Sequence, residues 1–60
     1  MKNVRIRTAM AKAGINQGEL AKILGASESE VSVVLNKYDL SKAETDIIIT
    51  KIRDAEPDTA

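Results

Sequence analysis

In the stretch QGELAKILGASESEVSVVLNK, from Gln17 to Lys37, side chains able to exchange hydrogen bonds crowd together: Gln17, Ser27, Glu28, Ser29, Ser32 and Asn36, closed by Lys37. Their chemistry is recognition. Amides and hydroxyls donate and accept, carboxylates accept, and an ammonium donates to anions. Catalysis is not within their reach. The chain has no histidine, no cysteine and no glycine-rich phosphate loop, and Glu28 and Glu30 stand two apart, a spacing at which helical side chains do not face each other. Neither a nucleophile with its base nor a zinc ligand set can be assembled. The expectation is a protein that is not an enzyme, with no catalytic residue, metal or cofactor, and no small-molecule substrate.

The elements that must position these groups announce their own starts. A capping residue followed three positions later by glutamate occurs at Asn16/Glu19, Ser27/Glu30 and Ser41/Glu44. In each, the first side chain accepts from the N3 amide while the glutamate reaches back to the cap amide. Ile15 with Leu20, and Ala26 with Val31, add hydrophobic staples to the first two. Gly14 and Gly25 stand where a left-handed residue stops a helix, and Pro57 follows the last periodic segment. These signals predict helices over 4–13, 17–24, 28–36 and 42–54. With no alternating strand pattern, the fold class is all-α: a compact bundle of four or five short helices. A single domain over residues 1–56 is expected, with 57–60 a disordered C-terminal tail.

Apolar spacing gives the inner faces: Ile6, Ala9, Met10 and Ala13; then Leu20, Ala21 and Leu24 flanked by Ile23; then Val31, Val34 and Leu35; and last Ile48, Ile49 and Ile52, with Ile47 surplus. A chain of 60 residues buries only about 60% of its unfolded surface, so this core is small. No secretory signal is visible and no apolar run approaches the ~20 residues of a membrane span. A soluble cytoplasmic protein without membrane attachment is expected. The net charge of zero divides unevenly, residues 1–37 carrying six basic and three acidic groups and residues 38–60 three basic and six acidic. A basic front suits oriented approach to a polyanion.

Residues Gln17 to Asn36 resemble the helix-turn-helix of the lambda-repressor-like family, which includes Cro and the xenobiotic-response-element regulators. Gln17 opens the first helix, Ala21 is the small residue where the helices cross, Gly25 makes the turn, and Val31 and Val34 are the apolar pair of the second helix. The resemblance spans roughly residues 4–53 and implies a sequence-specific DNA-binding transcriptional regulator, of a type carried by phages and mobile elements. It would lay helix 28–36 in the major groove of double-stranded DNA. Few phosphate contacts per monomer call for a homodimer on two half-sites about one turn apart, with the tail or the fourth helix, including surplus Ile47 and Tyr38, at the contact. With Val31, Val34 and Leu35 inside, subtraction leaves Glu28, Ser29, Ser32, Val33 and Asn36 as candidate base-contacting residues. A carboxylate at Glu28 accepts from cytosine N4, and Val33 suits a thymine methyl. Gln17, Ser27, Lys37, Ser41 and Lys42 are the candidate phosphate contacts. Two features depart from the pattern: the second helix opens on acid, and Lys37 is the basic residue expected near it. The acidic lead and the exposed Val33 support an alternative, a helix-turn-helix module that binds protein, such as an antirepressor or a regulator's partner.

Overall fold

A computed structural model describes residues 2–55; the expected domain end at residue 56 and the tail 57–60 lie outside them. Four helices form: α1 (Val4–Ala13), α2 (Gln17–Leu24), α3 (Glu28–Lys37) and α4 (Lys42–Ala55). The described residues contain no strand and no fifth helix. No helix among them is long and apolar enough to cross a membrane.

All three capping boxes form. The Asn16 and Ser27 side chains accept from the Glu19 and Glu30 amides at 2.9 and 3.1 Å, and both glutamates return the bond to the cap amide. Ser41 and Glu44 do the same at 3.2 and 3.3 Å. The two glycine stops are equally regular. Gly14 and Gly25 both sit at φ 70°, a region costly for other L-residues. Each closes a paired motif, with Gly14 N–H donating to Ala11 and Ile15 N–H to Met10, and Gly25 N–H to Lys22 and Ala26 N–H to Ala21.

Each helix supplies one side chain sealed from solvent: Ile6, Leu20, Leu35 and Ile52. Met10, Ala21 and Val31 complete the buried set, and Ala9, Ala13, Ile15, Leu24, Leu40 and Ile48 pack around it. α1 packs on α4, and α2 on both α3 and α4. Ala21, almost fully buried, lets α2 approach its neighbours closely. The inner face of α4 differs from the expected set. Thr45 and Ile52 are buried at i and i+7 with Ile48 between them at i+3; Ile48 and Ile49 are both half-buried, Ile48 against the core cluster and Ile49 beside α1. Counting apolar residues alone passes over a threonine that occupies the core stripe.

Asn3 was outside every periodic segment, yet it is buried and stands at φ 58°. It does not cap α1. Its side-chain NH2 donates to the carbonyls of Leu35 at 3.0 Å and Tyr38 at 2.7 Å, and its carbonyl accepts from Leu40 N–H at 2.9 Å. Its own N–H donates to Asp39 at 3.3 Å. One amide therefore fastens the end of α3 and the α3–α4 loop to the start of α1. Asn3→Ala should lower unfolding stability by about 2–4 kcal/mol, because the Tyr38 carbonyl and Leu40 amide lose their partner, the Leu35 carbonyl loses one of two donors, and alanine resists positive φ. Urea unfolding checks this, and Asn3→Gly, which relieves only the backbone strain, should recover less than half of the loss.

Candidate nucleic-acid interface

The outer face of α3 is set by what its inner face must do. With Val31 and Leu35 buried and Val34 half-buried, Ser29, Ser32, Val33 and Asn36 follow at i, i+3, i+4 and i+7 on the other side. Val33 keeps 49% of its surface exposed, so no core contact explains it. Gln17, Glu28, Ser29, Ser32 and Val33 surround one shallow, open hollow. The start of α2 and the leading half of α3 thus present a joint surface.

Glu28 and Glu30 have different positions on it. Glu30 spends one carboxylate oxygen on the Ser27 amide, 3.2 Å away. Glu28 folds back over α2, its Oε2 lying 3.1 Å from where a Cβ on Gly18 would stand. There it faces the positive end of the α2 dipole. A side chain at position 18 would require it to give by a few tenths of an ångström.

Asn36 lies one turn beyond the hollow. Its Oδ1 accepts from Arg7 at 2.9 Å, and its NH2 donates to Ser32 Oγ at 3.2 Å. A guanidinium only donates, so the contact with Arg7 fixes which way the Asn36 amide points. One amide hydrogen and one lone pair remain for an outside partner. Ser27 Oγ accepts the Glu30 amide and keeps its hydrogen available. Ser41 is more committed, its hydroxyl donating to Glu44 at 2.9 Å. Lys42 stands 3.8 Å from Asp46 across one helical turn and is highly exposed. An anion at the start of α4 would therefore meet the Glu44 carboxylate as well as Lys42.

Arg7 is the residue the sequence did not disclose. Its guanidinium donates to Lys2 O at 2.9 Å and to Leu35 O at 3.1 Å in addition to Asn36. It places positive charge at the negative end of the α3 dipole, where cations are favoured. Lys37 is thus not the sole basic residue near this helix; Arg7 joins it from α1, across 29 positions of chain. The face runs from acidic at its start to basic at its end. No group of acidic residues among those described is arranged to hold a metal ion. No protein-family model, curated protein or solved structure matches this chain.

If the Glu28 carboxylate repels a polyanion at this face, Glu28→Gln should raise affinity for duplex of random sequence about threefold at low salt, comparable with gaining one phosphate contact. Fluorescence anisotropy at two salt concentrations measures it. An unchanged affinity would confine Glu28 to its place over α2.

Proposed function

We propose that this chain is a small DNA-binding transcriptional regulator, reading sequence with α3 in the major groove while α2 lies across the phosphate backbone. The observation carrying the reading is Val33. It is a half-exposed aliphatic residue ringed by Ser29, Ser32 and Gln17, on a surface two helices build together. A methyl-bearing group among neutral donors and acceptors suits base edges, where thymine offers a methyl and the other bases offer hydrogen-bonding atoms. In this reading Ser29, Ser32, Val33 and Asn36 meet bases, with Glu28 at the leading edge. Gln17, Ser27, Lys37 and Lys42 meet phosphates, and Ser41 lies at the far margin. Arg7 extends the cationic end.

One copy would read few base pairs. Two copies on half-sites about 34 Å apart would supply both affinity and selectivity. Tyr38 and Ile47, 57% and 58% exposed, are apolar groups available to join them. Such a regulator would act in the cytoplasm by occupying its operator.

Two measurements test the reading. In an amide chemical-shift titration, duplex from upstream of the chain's own gene should move residues 27–37 and Gln17. These shifts should exceed those from a scrambled duplex and survive moderate salt. Val33→Asp should reduce binding of that duplex at least about 30-fold by setting a carboxylate against a base edge, with far-UV helicity unchanged. Equal, salt-labile shifts scattered over lysines and arginines, or intact binding by the aspartate variant, would remove α3 from a DNA interface and favour a protein partner for this face. Lys37→Ala should reduce the slope of log affinity against log salt by about 0.9 per monomer.

A further inference from the structure

We propose that the groove between α1 and α4 docks an acidic amphipathic segment of a partner protein, with the segment's aliphatic side chains along the floor and its carboxylates at the edges. The case begins with the distribution of charge on α1. VRIRTAMAKA carries three cations and no carboxylate, in a chain whose acids and bases balance. At 100° per residue, Arg5 and Arg7 point about 200° apart, whereas Arg5 and Lys12 point in nearly the same direction. Arg7 goes to the end of α3. Arg5 and Lys12 go to the α4 side, where Arg53 completes a cationic rim.

No carboxylate among the described residues lines this groove. Arg5 reaches Asp46 beyond its edge at 2.9 Å, in an ion pair that solvent covers by about half and that is therefore worth little. Lys12 and Arg53 have no acidic partner within ion-pair distance among the described residues. The floor is aliphatic. Val4, 55% exposed, and Ile49, half-buried, are left out of the core cluster and come together here.

Cations around an aliphatic floor distinguish the occupant. A phosphate backbone would satisfy the rim but has nothing to cover Val4 and Ile49. A neutral apolar helix would cover the floor and leave the rim unanswered. An acidic amphipathic helix answers both, a recognition mode in which the groove reads aliphatic anchors at helical spacing and charge sets orientation and encounter rate. The groove lies across α1 from Arg7 and α3, so it can be occupied while α3 is engaged.

The probe is a fluorescein-labelled 14-residue peptide of Glu, Leu and Ala, its leucines on one stripe flanked by glutamates. Its counterpart carries glutamine for every glutamate. The acidic peptide should bind saturably and move the amides of Val4, Thr8, Lys12, Ile49 and Arg53, leaving Ser29, Ser32 and Val33 in place. The glutamine peptide, and the double variant Lys12→Glu/Arg53→Glu, should bind at least about tenfold more weakly. Val4→Ser, which leaves the charge intact, should weaken binding about threefold. Equal binding of the two peptides, shifts centred on α3, or displacement of the peptide by duplex DNA would overturn the proposal. A duplex titration of the same sample reports separately on α3, so either reading can fail while the other stands.

Discussion

The Asn3 side chain does for the end of α3 what glycine does for the ends of α1 and α2. Those two helices stop on a left-handed glycine that turns the chain and satisfies the last carbonyls locally. α3 has no such residue. It runs into Tyr38 in an extended conformation, where Tyr38 N–H still reaches Val34 O but the Leu35 carbonyl has no donor from its own helix. Asn3, just ahead of α1, and Arg7 both donate to that Leu35 carbonyl. Asparagine is suited to the task in three ways: it tolerates positive φ, its amide both donates and accepts, and its stem is short enough to remain buried. Aspartate lacks the donor, and glycine lacks the side chain. The end of α3, and with it Asn36 and the turn into α4, is thus tied to a residue near the start of the chain, while α2 packs along the rest of the helix.

That dependence explains which parts of the structure could be read in advance. Capping boxes and glycine stops act over three to five residues, so the helix boundaries agree with the expected ones to within one residue at each end. The outer face of α3 was equally accessible, since it is what remains once Val31, Val34 and Leu35 are placed inside. Asn3, Arg7 and Thr45 were not legible. The partners of Asn3 are 32 to 37 positions away, and those of Arg7 on α3 are 28 and 29. No periodic pattern encodes contacts at such separations. Thr45 was missed for a related reason. A β-branched residue on the core stripe differs from valine by a hydroxyl, but a count of apolar positions scores it as surface and promotes Ile49 in its place.

Arg7 joins these structural facts to the electrostatics. Helix 28–37 brings two carboxylates at its start and one lysine at its end. Without Arg7 its charge would be net negative; with it, the last turn becomes a cationic corner that also adjoins the Lys2 carbonyl. The same guanidinium holds the Leu35 carbonyl, so positive charge at this corner cannot be removed without loosening the end of the helix. Stability and surface potential are coupled at one side chain. Substitutions at Lys37, which makes no such contact among the described residues, separate the two effects.

The acidic start of α3 then acquires a physical rationale within the proposed reading. Attraction to phosphates is indifferent to sequence and supplies nearly all of non-specific binding, whereas base contacts discriminate. A regulator acts through the ratio of the two, since non-specific sites vastly outnumber operators. A carboxylate at the leading edge penalises every duplex, but it penalises least the one that offers a cytosine amino group or lets the side chain remain over Gly18. Glu28 already has that resting place, its Oε2 3.1 Å from the point where any other residue type at 18 would put its Cβ. Glycine at position 18 therefore does more than open a helix. It leaves room for a negative charge beside the α2 dipole, which in the proposed reading would lower affinity for phosphates in general.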